Sequence, residues 1–235
     1  MTADEVLQEL AALGSEQTKK TFLRHGAREP LFGVKVGDLK KIQKRIKIDY
    51  QLALDLYATG NSDAMYLAGL IADDARMTRQ DLQRWVKQAY WHMLSGCTVP
   101  WVATGSRFGV EFARQWIDSK DEQIASAGWS TWSSLAMTKP DDELDLAELQ
   151  ALLDRVATTI HAQPNRVRYC MNGYVIAAGS GVVSLTAAAL RTAQAMGPIE
   201  VDMGDTACQT PDAAAYIAKV KAHGSLGKKR KSAKC

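Results

Sequence analysis

Trp85, Tyr90, Trp91 and Trp101 share a stretch of chain with Arg84, Lys87 and Arg107, and no Asp or Glu occurs between Leu82 and Val110. Aromatic rings stack on bases and cations neutralise phosphates, so a basic, aromatic, acid-free run has the chemistry of a nucleic-acid surface. The same run offers no carboxylate to stabilise a developing cation or activate a water, which argues against hydrolysis there. Core packing is the competing use of those rings, since tryptophan fills helical interiors more often than it binds.

Other candidates lie outside this run. Lys40, Lys41, Lys44 and Arg45 form a basic strip, and Lys40 and Lys44 are one helical turn apart. Arg107 and Arg114 are seven residues apart, on one helical face. Arg166 and Arg168 open a segment that carries Asn172 and Tyr174. As phosphate or base contacts the candidates are therefore Lys40, Lys44, Trp101, Arg107, Arg114, Arg166, Arg168, Asn172 and Tyr174. The bland alternative for each cation is a solvated helix face.

Acids with a claim to chemistry are few. Asp73 and Asp74 end an apolar helix and read best as a cap or as partners of Arg76 or Arg79. With Glu111 and Asp205 they are the alternatives for a catalytic carboxylate. Trp116, Trp129 and Trp132 are dense enough to form one packed layer. His25, His92, His161 and His223 have no nucleophile partner at interpretable spacing, and only His92 falls in the acid-free run. Cys97, Cys170, Cys208 and Cys235 show no ligand spacing and read as free thiols, so neither a metal nor a cofactor is expected. The turn at residues 202–208, with two acids and a thiol, does not change that expectation.

The elements that must position these residues are helical. Of 235 residues 46% are hydrophobic, with a periodicity near 3.6 in almost every segment. The spacing predicts helices ending at Gly14 and Gly26, one capped by Asp38, and others near residues 50–58, 63–75, 79–93, 99–116, 121–137, 143–161, 165–178, 184–196 and 212–222. The one β candidate is residues 199–202. Helix pairs recurring every 35–45 residues or so predict an all-α, HEAT- or armadillo-like solenoid of antiparallel pairs whose second helices line a concave groove. An irregular bundle is the alternative. The domain divides into repeats over 1–197, a turn-rich extension with a last helix over 198–223, and a basic flexible tail over 224–235.

Charge is segregated along this frame. The chain has 29 Lys and Arg against 26 Asp and Glu. Five of those cations are Lys228, Lys229, Arg230, Lys231 and Lys234, so the remainder carries more acid than base. Residues 1–47 are basic and 118–154 acidic, which confines any nucleic-acid contact to one face. The tail is either solvated or a non-specific phosphate anchor. No apolar run reaches membrane length and the N-terminus is acidic, which predicts a cytoplasmic monomer without membrane contact.

Three motifs carry a family resemblance. Leu31-Phe32-Gly33-Val34-Lys35-Val36-Gly37-Asp38-Leu39-Lys40-Lys41 resembles the early loop and basic helix of AlkD-type DNA alkylation repair proteins. Trp116-Ile117-Asp118-Ser119, with Ala125-Ser126-Ala127-Gly128-Trp129, resembles their central repeat. Arg168-Tyr169-Cys170-Met171-Asn172-Gly173-Tyr174-Val175 resembles their later groove helix. The resemblance implies a HEAT-like fold that cradles duplex DNA. Its enzymes release cationic alkylpurines with one Asp, two indoles and an Arg. Carried over, Pro100 or Trp101 stands at the acid's place, Gly96 or Cys97 at the first indole, Ser126 at the Arg and Tyr174 at the second indole. This implies a DNA-binding protein of that family, an alkylpurine DNA glycosylase if it is an enzyme at all, lacking the catalytic Asp at the matching position. The competing reading is a non-catalytic HEAT-like scaffold using the acidic patch of Asp141, Asp142, Glu143, Asp145 and Glu148.

Overall fold

Polar side chains set the helix starts. Thr2 with Glu5 and Thr78 with Asp81 form reciprocal capping boxes, and Asp49, Asn61, Asp121, Asp145 and Asp212 accept from first-turn N–H groups. The computed structural model describes residues 1–234, and Cys235, one of the four expected thiols, lies outside them. The described residues form α1 (Ala3–Leu13), α2 (Glu16–Arg24), α3 (Val36–Ile46), α4 (Tyr50–Ala58), α5 (Ser62–Ile71), α6 (Arg79–Gln88) and α7 (Val99–Gly105). There follow α8 (Gly109–Trp116), α9 (Glu122–Thr138), α10 (Leu146–Thr159), α11 (Asn165–Gly181), α12 (Thr186–Met196) and α13 (Ala213–Ala222). No strand forms among them, and residues 199–202 are an irregular loop.

Three expectations about helix boundaries and caps are corrected. The helix expected over 99–116 breaks at Ser106, whose hydroxyl donates to Ala103 O and accepts from Phe108 N. The helix expected over 79–93 stops at Gln88, and a π-helical turn at Leu94–Thr98 leads into α7. Asp38 does not cap α3. It lies inside the first turn, paired with Lys41.

α3, α5, α7, α9, α11 and α13 pack successively into an inner layer, backed by α4, α6, α8, α10 and α12. Small residues bring the inner helices together. A Cβ on Gly69 would lie 2.5 Å from the Thr98 methyl, so α5 meets the π turn only because this residue has no side chain. Ser130 Oγ lies 3.3 Å from Cys170 Sγ where α9 crosses α11.

The indoles of the acid-free run are interior, whereas Tyr90 is half-buried beneath the Arg28 guanidinium. Trp85 stacks on Tyr57 at 4.0 Å, and the Tyr57 hydroxyl donates to Trp85 O. Trp91 donates its indole N–H to Ser62 Oγ at 2.9 Å. Trp116, Trp129 and Trp132 are also buried, but not in one layer: Trp116 stacks on Phe112 in the N-terminal core, whereas Trp129 and Trp132 belong to the C-terminal core. Burying such side chains at roughly 25 cal/mol per Å² outweighs any binding use of their faces.

The loop before α3 has a clear physical cause. The buried Asp63 carboxylate, on α5, accepts from the N–H groups of Phe32, Gly33 and Val34 at 2.6, 3.0 and 2.9 Å. Gly33 sits at φ +78°, and a Cβ there would meet Lys19 N at 2.4 Å, so only glycine fits.

Beyond α12 the chain turns back over the inner layer. Asn165 bonds Asp202 through both its amide oxygen and nitrogen, and Asn172 Nδ2 donates to Pro211 O. α13 then packs on α11 and α12. The basic run that follows, expected to be flexible, lies on helix ends. Gly227 N donates to Ser180 O and Arg230 N to Met137 O. Lys229 Nζ donates to Ala136 O, and Lys234 Nζ to Ala72 O. These carbonyls end α11, α9 and α5, where unpaired C=O groups and the negative end of the helix dipole attract cations.

Candidate nucleic-acid interface

The sequence candidates do not all reach one face. Arg114 projects from α8 in the outer layer and forms a two-pronged pair with Glu148 at 2.6 Å. Arg107 lies in the turn between α7 and α8, over the Phe108 ring. Arg168 lines a depression beneath residues 199–202 and 208–210. Asn172 and Tyr174 are buried in the fold. The Tyr174 hydroxyl donates to Leu149 O and its ring packs on Trp129, and burial, then the Glu148 charge, pushes its ionisation far above the ordinary tyrosine value. The α11 face carrying residues 167, 171, 174, 175 and 178 is the core face, and that spacing explains the correction for Tyr174.

Lys40, Lys44, Trp101 and Arg166 remain on the inner layer. Lys40 and Lys44 have no acid partner among the described residues, whereas Lys41 pairs with Asp38 and Arg45 with Glu9. Trp101 is 8% exposed and meets Tyr66 edge-on at 5.2 Å. Arg166 stands at the start of α11, where its N–H donates to Glu122 at 2.6 Å.

Around Arg166 a rim assembles that sequence reasoning missed. Arg24, His25, His92 and Arg166 line one small depression, with the two imidazoles 6.0 Å apart. Burial, then Arg166 and His25, pushes His92 down to about 4, so its ring is neutral at pH 7. The only sequence signal was Arg24 in the last turn of α2, which has no spacing relation to residue 166. The opposite rim is the docked C-terminal run, where Lys228, Arg230 and Lys231 stay exposed while Lys229 and Lys234 face the body. Between the rims run α9 and α11, 17 residues each, hence about 25 Å long, comparable with the width of a duplex. Ser130, Ser133, Ser134, Tyr169 and Gly173 leave their partly exposed surfaces uncharged.

Three carboxylates near this surface are engaged in the fold, and Asp202, which also lines the Arg166 depression, accepts from the Gly204 N–H. Asp63 clamps the loop before α3, and Glu122 holds the start of α11. Asp74 pairs with Lys234 at 2.8 Å, not with Arg76 or Arg79 as expected. Arg76 instead covers the Tyr50 ring and Arg79 pairs with Glu111. Burial raises Asp74 to about 6, against the pull of Lys234. Gly96, Cys97, Pro100 and Trp101, the positions to which the resemblance carries the acid and first indole, bring no carboxylate. Ser126, the position to which the resemblance carries the Arg, is 1% exposed within α9. Among the described residues no group of His, Cys, Asp and Glu is disposed to hold a metal.

Much of the acidic patch is also consumed internally. Asp141 pairs with Lys229, Glu143 with Lys139 and Glu148 with Arg114, and Asp145 caps α10.

Residues 6–199 match the DNA alkylation repair enzyme family. An uncharacterized protein of Listeria innocua is 34% identical over 227 residues, covering 94% of this chain and 98% of its own. One from Listeria monocytogenes is 33% identical with the same coverage. A solved structure that superposes with a TM-score of 0.92, at 39% identity over 100% of both chains, belongs to a new family related to the HEAT-like repeat DNA glycosylases with affinity for branched DNA structures. Taken with the two helical layers described above, these matches mean that the chain has a HEAT-like repeat fold and belongs to the DNA alkylation repair enzyme family.

Proposed function

We propose that the protein binds branched DNA across its inner layer and does not release alkylated bases. The observation that carries this reading is the pairing of basic rims with a floor whose nearby acids are tied into the fold. Cleaving an N-glycosidic bond builds positive charge on the sugar, and a free carboxylate beside it is the cheapest stabiliser. Asp63, Asp74 and Glu122 are each held by a structural partner, and Ser126 offers no guanidinium in the family position. Phosphate contact, by contrast, needs only cations on a suitable frame. Lys40, Lys44, Arg24, Arg166, Lys228, Arg230 and Lys231 supply them here. The affinity for branched DNA in the related solved protein supports the substrate class.

The test is base release from methylated duplex DNA run beside binding to a four-way junction and a linear duplex. We expect no release, tighter binding to the junction, and a log–log salt slope of several units. Release of methylpurines, or salt-insensitive binding, would sink this reading. The scaffold reading gains no support from the acidic patch, since four of its five acids already have partners within the chain.

A further inference from the structure

A cleft of about 530 Å³ lies beside the second basic rim, floored by α9 and α11 and walled by α13 and residues 225–233. That volume is in the range of small-ligand sites. Its lining includes no Asp or Glu, yet Lys228, Lys229 and Arg230 all border it. Lys229 is neutralised by Asp141 at 2.7 Å. Lys228 and Arg230 are exposed and have no acid partner among the described residues. Across the cleft Tyr216 is 47% exposed, a large ring left open to solvent, with Met137 and Ile176 as apolar neighbours. Gly173 keeps the floor open, because a Cβ built there meets nothing within 4 Å.

An open aromatic face beside two unpaired cations, with the one carboxylate at the border, Asp141, already paired with Lys229, matches a stacking base joined to a phosphate. We infer that this cleft takes an unpaired nucleotide of branched DNA, with Tyr216 under the base and Lys228 and Arg230 on the phosphate. A paired base is held in its stack and cannot enter such a site without being extruded, whereas a single-stranded arm presents its bases freely. The inference rests on the DNA-binding reading above and adds where the unpaired strand goes.

The experiment compares a four-way junction of fully paired arms with the same junction carrying a short unpaired oligothymidine arm, by fluorescence anisotropy. The full chain should bind the second roughly tenfold more tightly, as one stacked base warrants. Gly173→Leu puts a side chain into open space on a helix, so the fold should hold while the cleft fills. It should abolish the preference, read as the ratio of the two junction affinities in the same variant. Tyr216→Ala should remove most of the preference, and Lys228→Ala with Arg230→Ala should weaken both complexes. Equal affinity of the wild type for the two junctions overturns the inference and leaves the DNA-binding reading standing. A preference that survives Gly173→Leu, with the variant's melting curve unchanged, also overturns it. If neither junction is bound, both readings fall together.

Discussion

Residues 82–110 and residues 224–234 are both basic and free of acid, but the fold uses them in opposite ways. The first stretch turns its rings inward: Trp85, Trp91 and Trp101 are at most 8% exposed, and Arg84, Lys87 and Arg107 stay at the surface. The second has no large ring to bury, and it docks by giving two N–H groups and two ammonium groups to the carbonyl ends of α5, α9 and α11. Composition looks alike in the two, and the difference lies in what each can gain from the body. Rings gain from leaving water. A polar, cationic segment gains only where acceptors are left without partners. A basic run is therefore placed by the apolar residues it carries and by the orphan groups it can reach.

The hardest way to break the comparison is through the rings. Trp85→Ala should cost about 3–5 kcal/mol of stability, as a fully buried stacked indole is lost. Urea denaturation reads this, and a loss below about 1 kcal/mol would mean that the acid-free stretch is not core. Ending the chain after His223 should cost less, about 2 kcal/mol, from two backbone caps and two lysine contacts set against the ordering of the segment. It should nonetheless reduce DNA affinity more than any inner-layer single substitution. Lys228→Ala, Arg230→Ala and Lys231→Ala together should lower the salt slope by about 2 to 3 units while melting barely shifts.

The two shifted titrations sharpen the contrast at the opposite rims. Asp74, raised to about 6, binds its proton more tightly in the folded state, so its contribution makes stability fall as pH rises from about 4 to 6. His92, lowered to about 4, binds its proton more weakly when folded, so stability rises between about 4 and 6.5. Each contribution is on the order of 3 kcal/mol and the two oppose. Asp74→Asn should leave a curve that climbs with pH, and His92→Gln one that descends, in thermal melts from pH 4 to 7. Parallel curves for the two variants would refute the assignment. The smallest effect is expected at Arg114→Ala, about 0.5 kcal/mol for an exposed pair, with DNA affinity unchanged. A clear loss of affinity there would return the outer layer to the interface.

The helical class, the layered pairing and most helix spans were legible in the sequence, because apolar periodicity and Asp, Asn or Thr caps are local signals. The family resemblance was legible too, in three short motifs. The break within residues 99–116 was not, since Ser106 ends α7 through its own hydroxyl and nothing in the neighbouring residues separates it from a serine inside a helix. Tyr174 illustrates the limit for sites: its aromatic type fits stacking and packing equally, and only the rotation of α11 turned it to Leu149 and Trp129.

The chain by itself determined which residues are cationic, which are apolar and where helices start, because those properties belong to single residues and their near neighbours. Tertiary structure alone decided which cations are free. Arg114 met Glu148 across 34 residues, and Lys234 met Asp74 across 160. Arg24 and Arg166 came to one rim although no periodicity relates them. Whether a charge is available to a phosphate depends on who else reaches it, and that is a property of the folded surface.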